Sequence, residues 1–529
     1  MASSISVTLS LLSVIFLVSS TCTTSASTDE QSFLLCLAGR FPTATHLTSV
    51  VYTHNSSSYD SVLQFSAQNP YLSSPSALKP LYIITPRYER QVQASVICSK
   101  LHGLQIRVRS GGHDYEGLSY LSSEPFVILD LINYRAIDIN VKDRTAWVQA
   151  GAILGELYYK LGETSGTLGF PAGVCTTLGL GGHFSGGGIG LSMRKYGLSI
   201  DNIIDASIVD VNGNVLDRKS MGEDLFWAIR GGGAGSYGVV LSWKIKLVEV
   251  PPTVTVFTVS RTVEEGATRL MTIWQNVAPQ LPDELVIRVI LQATRRGENS
   301  TVQASFNSLY QGSVQDLLSV MRRSFPELGL KSEDCQQMSW VESTMYFDGF
   351  PSGSPREALL NRTKSGRNSF KATSDFVTKP ISEDGLRGIW GKLLEEERGL
   401  MIFEPLGGKI NAVSETETPF PHRRGNLYNI QHYVNWEAGA NAQRYLNWIR
   451  SLYSFVTPYV TQAPRAAYLN YKDLDLGRNN EGPNTSYATA SVWGLKYFKG
   501  NFRRLALVKG RVDKDNFFRN EQSIPPLMA

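Results

Sequence analysis

A mainly apolar run from Ile5 to Ser19, with TLSLLSVIFLVS at its heart, gives way to small polar residues and Thr24-Ser25-Ala26. The run is short for a bilayer span and the small residues fit a cleavage site, so residues 1–26 read as a secretory signal. No later stretch approaches the ~18 apolar residues of a spanning helix, so no membrane segment is expected in the mature chain. The first clear structural unit is a strand at Leu81–Ile84. Thr85 as N-cap and Pro86 at the first helical position then predict a helix to about His102, stopped by Gly103 and followed by a strand at Gln105–Arg109. This β-α-β unit delivers the chain into Arg109-Ser110-Gly111-Gly112-His113-Asp114-Tyr115-Glu116-Gly117, a glycine-bearing loop at a strand's C-terminal end, where α/β architectures hold ligands. Strands at Phe126–Leu131 and Thr145–Ala150 follow, with an amphipathic helix around Ile153–Leu161.

Pro251-Pro252 marks the first boundary. Beyond it, strands at Val254–Ser260, Glu284–Ala293, Val302–Leu309, Leu400–Glu404 and Leu427–Val434 mix with helices at Ser313–Ser324 and Asn441–Val456, a pattern that predicts an α+β unit with an antiparallel sheet. From Tyr468 the composition turns aromatic and basic. The expected organisation is a first domain at 27–250, a second at 251–467, and a C-terminal segment at 468–529 that returns to the first. No internal repeat is present.

Composition narrows the function. The chain has 529 residues, 42% hydrophobic and 19% charged, which is ordinary for a folded protein. Its net charge of +4 is too small for a dedicated nucleic-acid surface, and Arg322-Arg323 and Arg423-Arg424 are isolated, so a small-molecule partner is expected; a monomer is expected. Seven histidines without HExxH or metal-like His/Cys spacing predict no metal site. In a secreted chain, Asn55, Asn299, Asn361 and Asn484 are glycosylation sequons in polar, turn-rich stretches. With Cys22 lost in the signal, Cys36, Cys98, Cys175 and Cys335 allow three complete pairings. Cys36 and Cys98 sit on predicted amphipathic helices and are expected to pair, leaving Cys335 an idle thiol.

Glycine concentrates chemistry in one region: 19 of the 46 glycines lie between Gly162 and Gly238, most densely from Gly173 to Gly190. Such runs let backbone N–H groups approach a phosphate or a planar ring. Neither the Rossmann G-x-G-x-x-G nor the Walker motif fits, so the common nucleotide folds are disfavoured.

RSGGHDYEGLSY at 109–120, FPAGVCTTLGLGGHFSGGG at 170–188, RKYGL at 194–198, GEDLFWAIRGGG at 222–233 and YLNYKDLDLG at 468–477 resemble the plant berberine bridge enzyme-like flavoproteins across essentially the whole mature chain. The resemblance implies the vanillyl-alcohol oxidase, or PCMH-type, fold: two α+β subdomains cradling FAD, plus a substrate domain whose antiparallel sheet covers the flavin. It implies FAD bonded twice, through His113 at the 8α-methyl carbon and Cys175 at C6. Arg109, Ser110, Gly111, Gly112, Gly181 and Gly182 are expected to line the cofactor site. The reaction expected is loss of a hydroxyl or amine proton coupled to hydride transfer to flavin N5.

Relatives acting on monolignols resemble the chain at Tyr115 and Gln431 but carry Tyr where it has Ile189 and Lys where it has Asn429. A phenol acting as base near pH 7 must lose about three units from its usual ~10, about 4 kcal/mol. Both parts of that arrangement are replaced together. Berberine bridge enzyme itself resembles the chain less at this strand position, carrying a Glu where Gln431 stands, so its ring closure is not expected here. Tyr471 matches the base of cannabinoid-cyclising relatives, which makes Tyr115 and Tyr471 equal candidates, with Gln431 beside them. A strand at Leu427–Val434 puts Asn429, Gln431 and Tyr433 on one face and His432 on the other. Ile189, Asn429 and Leu178 are expected in the substrate pocket. Leu178 matches a position where Val accompanies rapid oxygen reaction and Leu slow reaction, implying a dehydrogenase with an unknown electron acceptor over a peroxide-releasing oxidase. The expected substrate is an aromatic allylic alcohol or an alkaloid amine. Alternatives are a carbohydrate oxidase and a catalytically silent, defence- or allergen-like glycoprotein that keeps FAD for stability.

Overall fold

The structure, a computed structural model, describes residues 28–41, 45–72, 77–363 and 367–528. The expected signal at 1–26 lies outside them. Four short strands build the first sheet, β1 (Val51–Tyr52), β2 (Tyr82–Ile84), β3 (Gln105–Arg109) and β4 (Phe126–Asp130), in the order β1-β2-β4-β3. β4 runs parallel to both β2 and β3, and every residue of β2 and β4 is buried, as strands covered on both faces require. The helix Glu89–Leu101 connects β2 to β3 and starts later than Thr85-Pro86 predicted. Thr85 N instead donates to Val50 O at 2.8 Å, prolonging the edge pairing, and Gln91 Oε1 accepts from the N–H groups of Arg87 and Tyr88. Cys98 on this helix is disulfide-bonded to Cys36 on the helix Thr28–Ala38.

The second sheet is antiparallel. β5 (Ile137–Asn140), β6 (Thr145–Gln149), β8 (Ile203–Val209), β9 (Val215–Leu216) and β10 (Val239–Lys246) take the order β5-β6-β10-β8-β9, while β7 (Leu168–Gly169) pairs with β11 (Val248–Glu249). The glycine-rich segment runs between β7 and β8. Its backbone packs too tightly for side chains: a Cβ on Gly190 would stand 1.8 Å from Ala172 O.

Seven strands form the third sheet: β12 (Val254–Thr262), β13 (Leu285–Arg296), β14 (Asn299–Tyr310), β15 (Cys335–Met338), β16 (Ser369–Val377), β17 (Gly399–Pro405) and β18 (Tyr428–Trp436), in the order β15-β12-β14-β13-β17-β18-β16. Both edge strands, β15 and β16, fall outside the strands expected from sequence, because CQQM and SFKATSDFV break apolar alternation with polar residues. Strand alternation divides the sheet's faces. Ile287, Val289, Met401, Phe403, Tyr428, Ile430 and Val434 enter a core covered by the helices Ala267–Val277, Glu383–Leu394 and Ala442–Phe455. Arg288, Glu404, Asn429, Gln431 and Tyr433 take the opposite face. The C-terminal segment rejoins the first core, where Tyr468, Trp493, Phe502, Phe518 and Ile524 pack with residues of β2 and β8. Among the described residues no helix is long and apolar enough to cross a membrane.

Candidate active site

One cavity of about 670 Å³ lies among the three sheets, lined by the loops after β3 and β7, by side chains of the third sheet and by the segment around Tyr471. Ser110, Gly111, Gly112 and His113 line it, and this loop is built on close backbone approach. Gly112 has φ +70° and a Cβ there would stand 1.6 Å from Ser66 O; one on Gly111 would stand 2.4 Å from Gly179 N. These positions demand glycine. Gly181 packs on Ala150 O, whereas Gly182 opens into free space. Arg109 corrects the sequence expectation. Its guanidinium is fully buried, donates to Asp130 Oδ2 at 2.7 and 3.1 Å and to Leu63 O and Val62 O at 2.7 Å each, and does not line the cavity. The parallel register that sets Arg109 beside Asp130 supplies that partner.

His113 and Cys175 converge although 62 positions separate them. His113 Nε2 lies 2.9 Å from Thr177 Oγ1, and Cys175 Sγ lies 3.4 Å from the same hydroxyl. Two side chains hold the Cys175 loop. Asp348 Oδ2 accepts from Thr176 N and Oγ1, and His183 Nε2 accepts from Gly173 N at 2.9 Å. An accepting ring nitrogen needs a neutral imidazole, and burial pulls the His183 pKa down to about 4. Cys335 is unpaired on the edge strand β15, away from the cavity.

The third sheet brings Phe370, Glu404, Gln431, Tyr433 and Asn435 to the cavity wall. Gln431 Nε2 donates to Tyr115 Oη at 2.6 Å. The Tyr115 and Tyr471 rings lie parallel with centroids 5.8 Å apart, and Phe370 meets Tyr115 edge-on. Tyr471 Oη donates to Glu404 Oε2 at 3.3 Å. Burial pushes both phenols well above their ordinary value, and the nearby Glu404 raises them further. Burial also raises the Glu404 carboxyl, with the Arg288 guanidinium opposing it. Glu404 lines the wall without standing out in the sequence pattern, where its one signal is a lone carboxylate ending the apolar strand MIFEP.

Ile189 and Leu178 line the cavity, but Asn429 does not. It shares the face of Gln431 yet lies beneath the wall, opposite Glu404, and donates to Asp375 O at 3.1 Å. His432 faces the other way and pairs with Asp375 Oδ2 at 2.9 Å. Tyr468 Oη accepts from Gly188 N and Ile189 N, fixing the Gly-Gly-Gly-Ile backbone.

A family model described as "FAD binding domain" matches residues 80–218, and one described as "Berberine and berberine like" matches residues 467–525. Berberine bridge enzyme-like 26 of Arabidopsis thaliana is 52% identical over 481 residues, which cover 90% of this chain and 90% of its own. The chain belongs to the berberine bridge enzyme-like family. Tetrahydroberberine oxidase of Argemone mexicana is 49% identical over 100% of this chain and 97% of its own. Among solved structures, wild-type Phl p 4.0202, described as a glucose dehydrogenase, is similar at a TM-score of 0.90 and 47% identity, covering 94% of this chain and 100% of its own. A variant of that grass pollen allergen with one isoleucine replaced by valine is described as a glucose oxidase. This berberine bridge enzyme-like protein is therefore an FAD-linked oxidoreductase with a PCMH-type FAD-binding domain.

Proposed function

We propose that this oxidoreductase carries its FAD on two bonds, through His113 and Cys175, and oxidises a hydroxyl-bearing, predominantly aromatic plant metabolite. The contacts of the imidazole and the thiol with one hydroxyl, Thr177 Oγ1, support the double linkage. FAD held there supplies the acceptor for a hydride from the substrate carbon. Ser110, Gly111, Gly112, Gly181 and Gly182 would cradle it by backbone approach, while Asp348 and His183 hold the Cys175 loop.

The observation that carries the reaction class is the Tyr471–Glu404 contact. A buried phenol next to a carboxylate cannot serve as a phenolate near neutral pH, because both influences favour its neutral form. It can pass a proton on. Tyr471 Oη takes the substrate hydroxyl proton while giving its own to Glu404 Oε2, and the substrate leaves as a carbonyl compound. Among the described residues Tyr115 has no such acceptor. Its oxygen accepts from Gln431, which leaves its O–H directed elsewhere, so Tyr115 acts as a donor and a wall.

Tyr115, Tyr433, Phe370 and Ile189 favour an apolar, planar substrate. The glucose dehydrogenase activity of Phl p 4 supports a sugar as the second reading, and Gln431, Asn435 and Asn470 on the wall could meet hydroxyls. Anaerobic bleaching of the flavin by a panel of aromatic alcohols, amines and sugars separates the readings: rapid bleaching by aromatic alcohols alone is expected, and bleaching by sugars alone would replace this reading with the second. Leu178 on the cavity wall supports slow reaction with oxygen, hence a dehydrogenase. The Cys36–Cys98 disulfide and four exposed sequon asparagines, Asn55, Asn299, Asn361 and Asn484, support passage through the secretory pathway to the cell wall or vacuole.

A further inference from the structure

The two tyrosines of the cavity belong to segments far apart in the chain, and a single ammonium joins their neighbours. Lys371 lies on the edge strand β16 and is only 8% exposed. Its Nζ donates to Glu116 Oε1, on the residue after Tyr115, and to Asp473 Oδ1 at 2.6 Å, two residues after Tyr471. Asp475 Oδ2 stands 3.8 Å away and is itself held by Arg450. Glu116 Oε1 also accepts from Leu474 N at 3.1 Å, while Asp473 N donates to Tyr497 Oη at 3.1 Å. Phe370, beside Lys371 in the strand, meets the Tyr115 ring at 5.3 Å. So the loop after β3, the edge of the third sheet and the C-terminal segment meet at one nitrogen.

A buried ion cluster is a poor device for stability alone, because desolvation offsets most of its attraction and apolar packing does as well. What such a cluster supplies is a fixed geometry. We propose that Lys371 is a positioning residue that sets the parallel register of Tyr115 and Tyr471, and through it the approach of Tyr471 Oη to the substrate hydroxyl. This rests on the base role proposed for Tyr471.

The test uses full-length, flavin-bearing protein and an alcohol that bleaches it. Lys371→Met, Lys371→Arg and Tyr471→Phe are compared for the limiting rate of anaerobic flavin reduction, the half-saturating substrate concentration and the thermal midpoint. Lys371→Met is expected to lower the limiting rate about tenfold to a hundredfold, as small misplacements of catalytic groups do, with little change in half-saturation. Lys371→Arg is expected to recover most of that rate. If Lys371→Met does not accumulate as holoprotein, Glu116→Gln, which removes one anchor and keeps Asp473, is expected to lower the limiting rate about threefold to tenfold. Wild-type limiting rates in Lys371→Met or Glu116→Gln, a loss confined to half-saturation, or failure of Lys371→Arg to recover the rate would overturn the proposal. Tyr471→Phe keeps the two failures apart: a wild-type rate in Tyr471→Phe removes the base role itself, whereas a slow Tyr471→Phe beside a fast Lys371→Met removes only the role of Lys371.

Discussion

Replacing Glu404 with Gln removes a proton acceptor while leaving its shape and a hydrogen-bonding oxygen for Tyr471 Oη. The size of the effect follows from the site. Ionising a phenol with an ordinary pKa near 10 at pH 7 already costs about 4 kcal/mol, and burial together with Glu404 raises Tyr471 beyond that value. The phenol alone is therefore a weak base, and on the proposed path the carboxylate takes the proton. General-base catalysis contributes typically 10²–10⁴-fold, so Glu404→Gln is expected to slow flavin reduction about a hundredfold to a thousandfold, about 3–4 kcal/mol. Tyr471→Phe breaks the same path, so the double variant is expected to be little slower than either single one. Stopped-flow anaerobic reduction reads this directly. It also reads the pH dependence. Burial raises the Glu404 carboxyl above its ordinary 4.5, opposed by Arg288, and the proposed path needs it as the carboxylate. The rate therefore falls as pH falls through an inflection displaced above that value, and Glu404→Gln abolishes the inflection. A Glu404→Gln variant that reduces its flavin within about threefold of wild type, or that keeps the inflection, would refute the reasoning.

Three further outcomes are expected. The His183 pKa moves from 6.5 unfolded to about 4 folded, so the unfolded chain holds more protons between those values and stability falls as pH drops through that window. Denaturant titration should show wild type losing about 2 kcal/mol more than His183→Gln between pH 7 and 4.5; equal losses would contradict a buried neutral imidazole. Leu178→Val should speed reoxidation of the reduced flavin by air about tenfold or more, read as the return of visible absorbance, whereas an unchanged rate would remove Leu178 as the barrier. Gly112→Ala places a Cβ 1.6 Å from Ser66 O at φ +70°, so a loss of more than about 3 kcal/mol or failure to accumulate is expected by thermal melting, and a wild-type midpoint would refute the close packing of that loop.

Period-two alternation makes β18 legible in the sequence alone. It sets Gln431 and Tyr433 against Tyr428 and Ile430, and it turns His432 away from the site, where Asp375 receives it. The same alternation could not place Asn429 at its depth in the wall, because depth depends on the register with β17 that sets Glu404 opposite it. Glu404 is hidden from local pattern for a related reason: it reaches the site by strand pairing in the sheet and meets a C-terminal segment 67 positions onward in sequence. Arg109 reads as a ligand-facing cation because it flanks the glycine loop. Its actual partner comes from the neighbouring parallel strand. At Thr85-Pro86 a local helix-start signal loses to edge pairing with Val50. The edge strand β16 is hidden from sequence reading because Lys371 and Asp375 serve buried ion pairs, and so look like solvent-facing residues by pattern alone.

The proposed double attachment of FAD is tested most directly by the intact mass of the acid-denatured protein, followed by peptide mapping. The expected result is one polypeptide carrying one FAD that acid does not release, with His113 and Cys175 in a single cross-linked flavopeptide, and with His113→Ala and Cys175→Ala each retaining one attachment. Free FAD in the acid supernatant, with both side chains unmodified, would contradict it.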